Sequence, residues 1–295
     1  MGEMRLPRER FDYSAMADRK PLKLPGGARI AVWTIVNVEE WDIEGPMPRG
    51  VLTPPAGAQT IPDVPNWSWH EYGMRVGFWR LKAALDRNGI KATMAVNASV
   101  CDSYPRIARA ALDSGWEFMG HGYKQKATHL IEDQRGMVRK SIETIRQFTG
   151  KPPRGWLGPG LTETWDTLDI LAEEGIEYVC DWVSDEQPFE LKTSTRPLVV
   201  VPYSLEINDI PMMLIQHHEA PQLFNRARDQ FDRLYEEGQE SARIMAIAVH
   251  PYISGVPHRI KYFEEIYTYM KQKSGVLFWK GEEVLDWHLA GMNRS

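Results

Sequence analysis

Eight short apolar runs alternate with amphipathic stretches along the 295 residues, which predicts a single-domain, distorted (β/α) barrel of seven or eight parallel strands. Two observations carry the prediction. Four times an amphipathic stretch ends in glycine and passes at once into an apolar or aromatic run: ALDRNGIKATMAV, ALDSGWEFMG, LAEEGIEYVC and MKQKSGVLFW. Glycine just past a helix supplies the left-handed backbone that ends it, so each repeat reads as a helix feeding a buried strand. No Gly/Ser- or Pro-rich linker divides the chain, so residues 1–295 are expected to form one catalytic domain, with the barrel at about 29–280.

The same reasoning places strands near 29–37, 91–96, 116–120, 154–158, 176–181, 198–202, 244–249 and 276–279. Helices are expected near 76–88, 104–114, 129–148, 163–174, 221–237 and 259–273, with Thr128 and Thr162 as N-caps of the third and fourth. Residues 44–72 interrupt the pattern: they hold six prolines and no periodicity, and are expected to form a lid or a subunit contact.

Composition excludes several classes. With 43% hydrophobic and 25% charged residues, the chain is globular rather than disordered or fibrous. A net charge of −5 without a basic stripe argues against nucleic acid as a partner. Cys101 and Cys180, with no CxxC, read as two buried reduced thiols and exclude a thiolate zinc site. The first twenty residues, MGEMRLPRERFDYSAMADRK, lack the apolar stretch of a signal peptide, and Leu6 stands where a myristoylation signal needs serine or threonine. No apolar run approaches membrane-spanning length. The expectation is a cytoplasmic protein with a small-molecule substrate, no membrane and no nucleic-acid partner; the proline-rich loop and many aromatic residues point to a homo-oligomer.

In a parallel barrel, chemistry sits at the carboxyl ends of the strands. Glu39, Glu40 and Asp42 follow the first strand, and His121 and Gln125 the third. GWLGPG follows the fourth, CDWVSDEQPF the fifth, and VHPYISGVPHR, with His250, the seventh. An acidic pair shortly after the apolar run AVWTIV, where a strand has just ended, is rarely idle, and His250 followed by Pro251 is expected to face the barrel mouth. His217 and His218 follow MMLIQ and stand open between site and surface. His70, His129, His258 and His288 read as loop or surface residues, and Trp67, Trp69 and Trp79 as packing.

The order acidic pair, His-centred motif, Pro/Gly motif, Asp motif and late His resembles the polysaccharide deacetylases (carbohydrate esterase family four) from about residue 29 to 280. That family uses an Asp-Asp pair as base and metal ligand, two histidines at i, i+4 to complete the metal site, and a late histidine as acid. Here Glu39-Glu40 replace the Asp-Asp pair, and Gln125 stands where the second metal histidine would be. Gly155-Trp156-Leu157-Gly158-Pro159-Gly160 replaces the arginine motif, while the Asp181 region and His250-Pro251 remain recognisable. VNVEEWD, GHG and HPYISGVPHR together are similar to the branch that hydrolyses small cyclic amides, the allantoinases and cyclic imide hydrolases.

The resemblance implies a hydrolase of non-peptide carbon–nitrogen bonds that opens a small cyclic amide, imide or ureide. Glu40, with or without Glu39, would activate water, His121 would orient or polarise, and His250 would protonate the leaving nitrogen. Gln125, Trp41, Trp156, Pro159 and Asp181 would bind substrate. No cofactor is firmly required; a divalent ion such as zinc, if bound, would take Glu40, His121 and Gln125, a weak set because an amide oxygen replaces an imidazole. The rivals are a metal-dependent deacetylase of an N-acetylated sugar and a non-catalytic barrel that binds a small ligand.

Overall fold

The computed structural model describes residues 4, 6–53, 57 and 60–292. Residues 54–56 and 58–59 of the expected lid lie outside the described residues, as do 1–3 and 5 of the amino-terminal stretch.

The fold is built around β1 (Ile30–Val38), nine consecutive buried residues rich in β-branched and aromatic types. Burial on both faces is what a strand inside a parallel sheet requires. One edge of β1 pairs in parallel with β8 (Arg243–Val249) from Ile30↔Arg243 to Val36↔Val249. The other edge is shared: β9 (Val276–Trp279) pairs with residues 30–33, and β2 (Thr93–Val96) with 35–38. From β2 the parallel sheet continues through β3 (Glu117–Gly120), β4 (Gly155–Trp156), β5 (Tyr178–Val179) and β7 (Leu198–Val200). β6 (Phe189–Leu191) lies antiparallel at the far edge. No ladder joins β7 to β8 among the described residues. The Glu186 carbonyl accepts from Ile244 N, the Ile207 carbonyl accepts from Ala248 N, and Asn208 bridges Ala248, so the barrel closes through isolated contacts. The expected class, a distorted barrel of mainly parallel strands, is the one observed.

Around it run α1 (Pro7–Arg10), α2 (Val64–Tyr72), α3 (Phe78–Asn88), α4 (Val100–Ser103), α5 (Pro105–Asp113), α6 (Gln134–Thr149), α7 (Thr167–Glu173), α8 (Pro221–Glu237), α9 (Pro257–Met270) and α10 (Gly281–Met292). The four glycines that defined the repeat, Gly89, Gly115, Gly175 and Gly275, all have positive φ, as a left-handed helix end requires.

Alternation along the strands sorts side chains into two cores. Val32 and Val36 of β1 and Met245 and Ile247 of β8 face outward onto Phe78, Leu81, Phe231 and Phe263 of the helices. Ala31, Trp33, Ile35, Ala95, Met119, Leu157, Tyr178, Val199, Ala246 and Ala248 fill the barrel interior. The amino-terminal end of the barrel is closed by Glu117, which is fully buried. Its Oε1 accepts from Tyr178 Oη (2.6 Å), and its Oε2 from Thr93 Oγ1 (2.7 Å) and from the backbone N–H of Glu282 (3.0 Å) in the first turn of α10. Among the described residues, no helix is long and apolar enough to cross a membrane.

Three expectations are corrected. Residues 64–72 are helical rather than loop: Asp63 caps α2 by accepting from Asn66 N, and α2 runs on through a wider, π-type turn at Gly73–Gly77 into α3. A Cβ at Gly77 would lie 2.0 Å from the Pro251 carbonyl oxygen and one at Gly73 2.6 Å from Tyr252 N, so these glycines let the helix touch the loop that carries His250. Thr128 and Thr162 are not helix caps. Asp133 caps α6, and Thr162 Oγ1 instead accepts from Thr128 N and donates to the Pro159 carbonyl. Finally, β6 and α10 were not anticipated: β6 is a three-residue edge strand, and the first turn of α10 is fixed by the distant Glu117 as well as by Glu283, whose Oε2 accepts from Lys280 N.

Candidate active site

The inward alternation delivers polar groups to one end of the barrel. Beyond Ala31, Trp33 and Ile35, the next inward positions are Asn37 and Glu39; β2 leads to Asn97, β3 to His121 and β8 to His250. None of these five is more than 4% exposed. Glu39 is at their centre. Its Oε1 accepts from Gln125 Nε2 (3.0 Å) and lies 3.5 Å from His250 Nε2 and 4.0 Å from His121 Nε2; its Oε2 accepts from Trp41 Nε1 (2.7 Å).

Each imidazole is oriented from behind. His250 Nδ1 donates to Asp209 Oδ1 (2.6 Å), while Asp209 Oδ2 accepts from the His250 backbone N–H (2.8 Å) and Ser254 Oγ (2.6 Å). His121 Nδ1 donates to the Leu157 carbonyl (2.6 Å), which leaves its Nε2 as a lone pair directed to the Glu39 side. Asn97 fixes the Gln125 amide. Its Oδ1 accepts from Glu40 N (2.8 Å), so its Nδ2 must donate to the His121 carbonyl and to Gln125 Oε1 (3.2 Å), which turns the Gln125 NH2 toward Glu39.

These contacts set the charges. Burial alone would raise the Glu39 pKa, but the hydrogen bond and charge of His250, with Arg49 and His121 behind it, hold it well below the usual carboxylate range. Burial would lower His250, yet the charge and hydrogen bond of Asp209, joined by Glu39, raise it above an ordinary imidazole. Burial dominates at His121 and pushes it down to about 4 despite the nearby Glu39 charge. The surroundings therefore favour the carboxylate at Glu39, the neutral imidazole at His121 and the protonated form at His250.

Glu39, His121 and His250 open onto a chamber of about 170 Å³, also lined by Arg49, Leu157, Gly160, Leu161, Tyr203 and Asn208. Arg49 and Gly160 lead on into a wider cavity of about 600 Å³ lined by Asp42, Met47, Lys124, Gln125, Lys126 and Pro159.

Of the expected site residues, Glu39, His121, His250 and Gln125 come together, and Pro159 lines the outer cavity. Four do not face the chamber. Glu40 follows outward-facing Val38, and its carboxylate lies 3.7 Å from Lys124 Nζ. Trp41 is buried beneath Glu39, stacked on His70 at 4.5 Å. Trp156 and Asp181 share the outward phase of their strands: Trp156 packs among Leu168, Leu171 and Val179. Asp181 stands behind the Pro/Gly turn, accepting from Gly158 N (2.8 Å), and burial beside Glu163 raises the pKa of both carboxyls. His70 is a further correction: it is buried, with Nε2 3.0 Å from the Glu39 carbonyl oxygen. His217 is exposed, and His218 pairs with Arg226 (3.0 Å), away from the chamber. Cys101 and Cys180 are buried and free.

Asn97, Asp209 and Arg49 were missed. Asn97 was findable as the inward residue two beyond Ala95. Asp209 and Arg49 lie in segments without strand periodicity, where sequence pattern offers no signal. The anticipated metal set does not fit, because Glu40 turns to Lys124 and the Gln125 oxygen is taken by Asn97.

A buried carboxylate between two oriented imidazoles can activate water and deliver a proton, which is the chemistry of a hydrolase. Residues 67–179 match the polysaccharide deacetylase family model. It is 23% identical over 248 residues to the peptidoglycan deacetylase of Helicobacter pylori, covering 72% of this chain and 83% of the relative. The structure resembles a probable polysaccharide deacetylase from Pseudomonas aeruginosa PAO1 at a TM-score of 0.80 and 28% identity, covering 90% of this chain and 92% of that one. It also resembles PuuE allantoinase at a TM-score of 0.84 and 25% identity, covering 97% and 98%.

Proposed function

We propose that this protein opens a small cyclic amide, imide or ureide by hydrolysing a ring carbon–nitrogen bond. The observation that carries this reading is the arrangement in the chamber: the Glu39 carboxylate held between a neutral His121 and a cationic, Asp209-bound His250. The gap of 4.0 Å between Glu39 Oε1 and His121 Nε2 is water-bridged in this mechanism. Both atoms are acceptors, so the water donates one hydrogen to each and points a lone pair at the carbonyl carbon. As the new C–O bond forms, the water proton passes to Glu39 and the carbonyl π pair moves onto oxygen. Collapse of that oxyanion expels the ring nitrogen, which takes a proton from His250 Nε2. Gln125 holds Glu39 in place, and Asp209 keeps the His250 proton on the side facing the substrate. The small chamber and the likeness to an allantoinase over nearly the whole chain support a small nitrogenous ring.

The second reading is a metal-dependent deacetylase of an N-acetylated sugar, favoured by the matched family model and the H. pylori relative. The deciding experiment is turnover of succinimide, hydantoin, allantoin and an N-acetylglucosamine oligomer by chelator-treated protein, with and without added zinc. Ring opening by the metal-free protein supports the proposal; release of acetate restored only by zinc supports the second reading. Ligand binding without product from any of the four would leave a non-catalytic barrel. A homo-oligomer belongs to the same proposal, and light scattering on the purified protein checks it.

A further inference from the structure

Arg49 has no role in the chemistry above, yet it lines both the inner chamber and the outer cavity and so stands at the neck between them. Its charge acts on Glu39, His121 and Tyr252. Its Nε is buried and has no hydrogen-bond partner among the described residues. The Tyr252 hydroxyl beside it is also buried, and no hydrogen bond of ordinary geometry joins the two. A buried guanidinium N–H left without an acceptor is costly, and a fork of five donors is suited to planar oxygen pairs.

The placement of Arg49 is built rather than incidental. The two residues after Gly50 are clamped by Asn66 of α2, itself 3% exposed. Asn66 Oδ1 accepts from Val51 N (2.8 Å) and Leu52 N (3.0 Å), and its Nδ2 donates to the Leu52 carbonyl (2.9 Å) and Asp63 Oδ2 (2.9 Å). A Cβ at Gly50 would approach Asn66 Nδ2 to 3.2 Å, so the strap lies directly on its clamp. The chamber walls also set the Arg49 guanidinium and the Asp209-supported His250 against the one carboxylate of Glu39.

We propose that Arg49 binds the oxygen that becomes the product carboxylate, stabilising it first as the oxyanion of the tetrahedral intermediate and then as the carboxylate of the opened ring, with Asn66 as the positioning residue that holds the strap. This inference rests on the ring-opening reading for its kinetics but not for its binding. When water adds to the carbonyl, the π pair settles on that oxygen; when the ring C–N bond breaks, His250 supplies the proton to nitrogen, and the same oxygen and the water oxygen form a carboxyl group that becomes the carboxylate by giving its remaining water proton to the His121 Nε2 lone pair. One cation then follows a single oxygen through both stages.

The test compares wild type, Arg49→Met and Arg49→Lys in two assays: hydrolysis of succinimide, and calorimetric binding of succinamate, its ring-opened carboxylate. Circular dichroism confirms folding of each variant. The expected result is a fall in kcat of about 100-fold or more for Arg49→Met with a smaller change in KM. Succinamate affinity should fall at least about tenfold, and Arg49→Lys should recover part of both because it restores charge without the fork. Asn66→Ala should lower kcat while leaving in place the alkaline limb set by His250, on which Arg49 has no bearing. Equal kcat and equal succinamate affinity in wild type and Arg49→Met overturn the proposal. Should wild type open no ring at all, the ring-opening reading fails, and the binding arm still decides: Arg49-dependent succinamate binding upholds the anion seat, and Arg49-independent or absent binding removes it.

Discussion

Asp209→Asn removes one charge and exchanges one oxygen for an NH2, and its consequence follows from counting donors. Asp209 accepts three hydrogen bonds, from His250 Nδ1, the His250 backbone N–H and Ser254 Oγ. The backbone N–H cannot become an acceptor, so the single asparagine oxygen must stay with it. The new NH2 then faces His250 Nδ1, which can accept only by giving up its hydrogen and moving the proton to Nε2. His250 becomes a neutral Nε2–H tautomer, a far weaker acid than the imidazolium that Asp209 supports in the wild type. Loss of a positioned general acid typically costs 10²–10⁴ in rate, so kcat should fall by about that factor, roughly 3–5 kcal/mol in the barrier. The wild type needs His250 protonated and its pKa is raised, so activity should persist above the ordinary imidazole range and fall only as pH rises through the raised value. In Asp209→Asn that alkaline limb should move down or vanish. The assay is kcat/KM against pH on the ring substrate that wild type turns over best. A variant within about threefold of wild type, with the same alkaline limb, would refute the assignment of His250 as acid.

Three further outcomes are expected. Glu39→Gln should lower kcat by about two orders of magnitude or more, whereas Glu40→Gln, facing Lys124 outside the chamber, should change it by less than about fivefold; the reverse ranking in the same assay would return the base to Glu40. His70 is pushed down to about 4, chiefly by burial, so the unfolded chain binds a proton near 6.5 that the folded chain refuses. Stability should therefore drop between pH 6.5 and 4 by on the order of 3 kcal/mol more in wild type than in His70→Gln; parallel urea-derived stability curves for the two would exclude it. Glu117→Ala strands the Tyr178 hydroxyl, the Thr93 hydroxyl and the Glu282 N–H, and should cost about 3–5 kcal/mol by denaturant titration; a loss below about 1 kcal/mol would mean that water enters the barrel floor.

The barrel was legible because its signal is local. Gly89, Gly115, Gly175 and Gly275 each end a helix and open a strand, and all four adopt the left-handed backbone that their position implies. The site was legible down to which strand ends carry it, but not down to which neighbouring residue. Glu39 against Glu40, Leu157 against Trp156 and Cys180 against Asp181 are one choice repeated: the phase of a strand decides which of two adjacent residues looks inward. That phase is written in the sequence, in Ala31, Trp33 and Ile35 ahead of Glu39 and in Ile244, Ala246 and Ala248 ahead of His250. Carried one step past each strand end, it selects the residues observed. Asp209, Arg49 and the clamp at Asn66 were out of reach, because they arrive from irregular or helical segments whose approach to the chamber is decided by long-range packing alone.

The buried acid at the barrel floor also bears on how the chain is made. Glu117 lies 165 residues before Glu282, whose backbone N–H it must bind, and the Thr93 hydroxyl awaits Gly281 across 188 residues. At ordinary rates of synthesis that is an interval on the order of 10 to 30 s. Throughout it, the Glu117 carboxyl has only the Tyr178 and Thr93 hydroxyls as donors, and Oε2 lacks the backbone N–H that α10 brings. The floor of the barrel is therefore completed only once α10 is in place, when Glu282 N–H and Gly281 N–H supply hydrogen bonds to a carboxyl and a hydroxyl that entered the chain far earlier.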